Sequence, residues 1–64
     1  MKREKLIKYL RFYGCELFRE GSRHSIFYNA QNGKTSAVPR HPEIKHFTIV
    51  NICKDLEIPV PKEK

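Results

Sequence analysis

The feature that most constrains this chain is a change of hydrophobic period, from helical to alternating and back, within 64 residues. From Lys2 to Tyr13, Leu6, Ile7, Leu10 and Tyr13 recur at helical spacing among Lys and Arg, so the segment reads as a short amphipathic helix. Gly14 stands where a helix closes through a left-handed residue. Beyond it the pattern alternates, with Cys15, Leu17 and Arg19 on one face of a strand and Glu16, Phe18 and Glu20 on the other. Gly21-Ser22 signals a turn, and Arg23 to Asn29 reads as a second strand carrying Ile26, Phe27 and Tyr28. Asn32-Gly33 is a hairpin signal ahead of a third strand, Lys34 to Val38, which Pro39 stops. From about Lys45 the helical period returns, with Ile49, Ile52, Cys53 and Leu56 as its stripe, and Pro59 and Pro61 end it.

The expected order is α-β-β-β-α, an α+β fold. Three antiparallel strands need one face covered, and two amphipathic helices on that face supply the cover. Double-stranded-RNA-binding domains share this arrangement, although a fold alone does not fix a function. One domain spans residues 1–58, followed by a flexible tail, residues 59–64. A chain this short buries only about 60% of its unfolded surface, so its core is thin and any chemistry lies at the surface.

Composition narrows the partners. Thirteen Lys and Arg against seven Asp and Glu leave a net charge of +6, a strong field for so small a chain. Such a field favours polyanions: nucleic acid, an anionic membrane or an acidic protein. The cations are dispersed through the sequence, which fits a folded surface better than a basic tail. Cys15 and Cys53 are too few for a disulfide framework and lie among apolar residues, so both read as buried thiols. The charged start lacks the apolar stretch of a signal peptide, and no segment approaches the roughly 20 apolar residues that span a bilayer. The expected location is the cytoplasm.

His24, His41 and His46 are the chemically versatile side chains. Their spacings, with those of the cysteines, match no zinc pattern, and no cofactor or metal is expected. His24 follows Gly21-Ser22-Arg23 at the start of the second strand. A Gly-Ser turn exposes backbone N–H groups, which with Arg23 suit a phosphate. An imidazole there can move a proton at a ribose or phosphate oxygen, the step RNA cleavage requires. The bland alternative is a half-exposed strand histidine with no task. His24, Ile26 and Tyr28 share one face of a regular strand, but parity does not say whether that face is open. In Val38-Pro39-Arg40-His41-Pro42, two prolines stiffen the backbone around Arg40, a residue suited to bidentate phosphate contact. A plain rigid connector explains the same residues equally well.

Taken together, these segments resemble the HicA toxins. Gly21-Ser22-Arg23-His24 is similar to that family's G-S-x-H segment, and Val38-Pro39-Arg40-His41-Pro42 to its V/M-P-x-H-P segment before the final helix. The opening helix and its passage through Gly14 into a strand fit as well, and the likeness covers residues 2 to 58. The resemblance implies ribosome-independent cleavage of mRNA by a single catalytic histidine, here His24, with Gly21 and Ser22 as its supporting turn. It also implies a HicB-like antitoxin that occludes the site, with DNA contacted only through the antitoxin complex. Arg23 falls where the family often has histidine, so the resemblance assigns it no catalytic role. Gly21, Ser22, Arg23, Lys34 and Arg40 remain candidates for contact with phosphate or RNA. Two other readings fit the same charge: a non-catalytic RNA-binding module and a basic subunit that docks an acidic protein.

Overall fold

A computed structural model describes residues 1–62 of the chain. Its elements are α1 (Arg3–Phe12), β1 (Cys15–Glu20), β2 (His24–Asn29), β3 (Thr35–Pro39) and α2 (His46–Leu56). The three strands form one antiparallel sheet in the order β1-β2-β3. The sequence-based order and class therefore hold. Strand β2 shows why the layers form: Ser25, Phe27 and Asn29 are buried while His24 is exposed and Ile26 and Tyr28 are half-exposed. Both helices pack on the buried face. Leu6 and Leu10 of α1 and Ile49, Ile52, Cys53 and Leu56 of α2 close over Cys15, Phe27 and Val38. Among the described residues, no helix covers the opposite face of the sheet.

Gly14 closes α1 with φ +83°, as its position suggested. At the other end of α1 no side chain caps the helix, and the Arg3 amide donates instead to the Pro42 carbonyl at 2.9 Å. That bond ties the start of α1 to the connector between β3 and α2. Helix α2 ends before the prolines expected to stop it. Glu57 turns left-handed at φ 58°, ψ 47°, and the Ile58 amide returns to the Cys53 carbonyl at 3.0 Å.

Three expectations change in detail. Asn32-Gly33 does not form a two-residue hairpin; the loop runs over residues 30–34, closed by the Asn29 amide on the Lys34 carbonyl at 2.8 Å. The asparagines here have another task, because the side-chain amides of Asn29 and Asn32 both donate to the Leu56 carbonyl, at 2.9 and 3.2 Å, and satisfy the buried end of α2. Pro39 lies inside β3 as its last residue and pairs with His24. An edge strand tolerates it, since its outward side needs no N–H donor.

The third change matters most for function. The ladder shifts between Leu17 and Arg19, so that Leu17 faces Phe27, Arg19 faces Ile26 and Phe18 is an extra, bulged residue. Simple alternation puts Arg19 with Cys15 on the helix side. The bulge sends Arg19 to the open face instead, beside Ile26, and brings Glu20 to the helix side beside buried Ser25.

Cys15 and Cys53 are free thiols buried in the core, as expected. Burial pushes both thiols up, Cys53 to about 11, which keeps them protonated and inert at neutral pH. Of the tail expected from residue 59, Pro59 to Lys62 lie against α1, where the Tyr9 hydroxyl donates to the Pro59 carbonyl at 2.6 Å. Residues 63 and 64 fall outside the described residues.

Candidate functional site

The β2-β3 register makes neighbours of the two segments that stood out in the sequence. His24 pairs with Pro39, and Ser25 with Val38. An open hollow of about 520 Å³ lies between them, lined by Ser22, Arg23, His24, Pro39, Arg40 and His41. A larger hollow of about 1000 Å³ sits elsewhere, between α1 and the C-terminal stretch, and contains no histidine. His24 is exposed, on the side of the sheet away from the helices. The ring is accessible from solvent, which the sequence alone left open.

The turn before His24 depends on a glycine for a steric reason. The Gly21 amide donates to the His24 carbonyl at 2.8 Å, and a Cβ on Gly21 would sit 2.9 Å from that same oxygen. Gly21 contributes room for the backbone, and its N–H is already engaged. The amides of Ser22 and Arg23 are the ones left at the turn to meet an anion.

A polar chain anchors this turn from the helix side. Arg3 of α1 donates from Nε to the Pro39 carbonyl and from Nη2 to Ser25 Oγ, both at 2.8 Å. Ser25, only 1% exposed, donates onward to Glu20 Oε1 at 2.7 Å. The same carboxylate oxygen receives Arg40 Nη2 at 2.7 Å. Arg40 also donates to the carbonyls of Gly21 and Ser22, the latter at 3.3 Å. The hydrogen bonds from Ser25 and Arg40 hold the Glu20 carboxyl below the usual carboxylate range. The carbonyl oxygens of the turn thus point into Arg40, and its remaining amides point away from them.

The structure brings together Gly21, Ser22, Arg23, His24 and Arg40, and separates Lys34 from them. Lys34 lies at the far end of the sheet, where its ammonium is 3.9 Å from the Glu57 carboxylate. Arg40 is turned toward Glu20 and the turn carbonyls. Arg3, Glu20, Ser25 and His41 were missed as members of the site. For Glu20 the signal was absent, because alternation faced it the wrong way. For His41 it was present, since it belongs to the same short segment as Arg40. No group of three or more His, Cys, Asp or Glu among the described residues is arranged to hold a metal ion. No helix among them is long and apolar enough to cross a membrane.

A sheet covered by helices on one side, an exposed imidazole at the start of its central strand and a clamped turn beside it define a small basic α+β domain. Residues 3–58 match the family described as the HicA toxin of bacterial toxin–antitoxin systems, and the chain belongs to that family. Comparison with curated proteins gave no match, and comparison with solved structures gave none.

Proposed function

We propose that this toxin is an endoribonuclease that cleaves mRNA, with His24 as its essential proton-transfer residue. The observation that carries this reading is the placement of His24: exposed, at the rim of a hollow it shares with Ser22, Arg23, Pro39, Arg40 and His41. Cleavage requires the ribose 2′-oxygen to lose its proton, attack the adjacent phosphorus and expel the 5′-oxygen, which leaves protonated. His24 performs one of these transfers. His41 lines the same hollow and supplies a second imidazole for the other. The Ser22 and Arg23 amides, with the Arg23 guanidinium, take the charge that builds on the phosphorane oxygens. Glu20 and Arg40 are positioning residues, because they hold the turn and touch no substrate. This chemistry calls for no cofactor. An antitoxin of the HicB kind would restrain the toxin by covering this basic, open end.

The test is expression without an antitoxin, paired with incubation of purified protein and labelled RNA. Wild-type protein arrests growth and degrades the RNA, and His24→Ala does neither while melting at an unchanged temperature. Equal arrest and equal RNA loss by the two proteins would remove His24 from the mechanism. Salt-sensitive binding of RNA that both leave intact would mark a binding module instead.

A further inference from the structure

The open face of the sheet is more ordered than a merely solvated surface. Along β2, His24, Ile26 and Tyr28 follow one another on that face. Arg19 stands across from Ile26, and Glu16 across from Tyr28. The bulge adds Phe18 to the same side, where its ring meets that of Tyr28 edge-on, with centroids 6.0 Å apart. A regular strand never places two successive side chains on one face, but the extra residue does so here for Phe18 and Arg19. Phe18 is 63% exposed, and a hollow of about 580 Å³ opens beside it, lined by Leu17, Phe18, Tyr28, Gly33 and Thr35. At the rise of a β-strand, Tyr28 lies roughly 13 Å from His24. Imidazole, guanidinium and aromatic pair therefore succeed one another along a single track.

We propose that this track binds unpaired RNA leading away from the reaction site, with Arg19 on a backbone phosphate and the Phe18 ring stacked on a base. The inference rests on the ribonuclease reading and deepens it by naming single-stranded RNA as the substrate class. RNA is favoured over a protein partner because the track is continuous with His24, and because a guanidinium separates the imidazole from the rings. Glu16 repels phosphate at the far side of Tyr28, which places the phosphate contact on the Arg19 side. Stacking on a protein ring needs a base released from its own helix, so duplex RNA gains nothing from Phe18.

The test uses the full chain carrying His24→Ala, so that RNA stays intact. The sequence contains no tryptophan, so Phe18→Trp creates a single indole reporter, excited at wavelengths where tyrosine does not absorb. A short unpaired RNA should quench the introduced indole saturably. Phe18→Ala should weaken its binding at least about fivefold, with Phe18→Tyr retaining affinity. Arg19→Ala should lower the slope of log affinity against log salt by about 0.7, and Phe18→Ala should leave that slope unchanged. Unaltered affinity after Phe18→Ala, or an unquenched indole in a complex detected by anisotropy, overturns the stacking site and leaves the role of His24 standing. Failure of every form, wild type included, to bind RNA overturns the ribonuclease reading and this track together. Weakened capture of an antitoxin with unchanged RNA affinity assigns the face to protein docking and also overturns the proposal.

Discussion

Two residues fix the turn that presents His24, and each makes a distinct prediction. A methyl group at Gly21 would press on the His24 carbonyl, so backbone rather than side chain must move. Gly21→Ala should cost about 1–3 kcal/mol in chemical denaturation and lower RNA cleavage further than that loss of folded protein explains. Glu20 makes a pH prediction. Its carboxyl lies below its ordinary value of 4.5 in the folded chain, through Ser25 first and Arg40 next. A depressed folded value means that the ionised group stabilises the fold above about pH 4.5, and that this contribution disappears as pH falls through the folded value. Glu20→Gln should therefore melt below wild type at neutral pH, and the gap should close on acidification below pH 4.5. A gap that stays constant from pH 7 to 3 would show that the Glu20 charge plays no part.

At the scale of elements, a buried polar side chain joins the sheet to α2. The buried Asn29 side chain links the end of β2 to the last carbonyl of α2 and accepts the Gln31 amide at 2.9 Å. Asn29→Ala strips the Gln31 amide of its acceptor, leaves the Leu56 carbonyl only the longer bond from Asn32, and should cost about 1–3 kcal/mol, read from the urea midpoint. A change of under about 0.5 kcal/mol would mean that water replaces the amide at no cost. The same residue shows what the sequence could and could not disclose. Periodicity located every helix and strand, because Leu6 and Leu10, Phe27 and Val38, and Ile49 to Leu56 all lie where their spacing put them. It also put His24 on the face of Ile26 and Tyr28. An asparagine at a strand end reads as a turn former, and nothing local shows that it reaches a helix 27 positions away. The bulge was hidden for a related reason. Leu17 and Phe18 are both apolar, so no contrast marks the point where the alternation slips. Arg3 sat among other cations of an amphipathic helix, indistinguishable from a solvated residue until β2 and β3 were placed beside it.

For the molecule as a whole, one thin core supports both layers. Ile49 is fully buried beneath the sheet. Ile49→Ala should remove about 2–5 kcal/mol, a large share of what a small domain possesses, and calorimetry should show a lowered or vanished transition. A core with so little reserve leaves the open face free to vary, since Phe18 and Arg19 contribute nothing to it.

The bulge has a further consequence for chain length. Phe18 has no partner of its own in the ladder, so a strand lacking it could still set Leu17 against Phe27, Arg19 against Ile26 and Glu20 against Ser25. Excising this one position would shorten the protein and leave its proton-transfer end assembled. The proposed base stacking and the proposed power to cut would then be separable by a single codon.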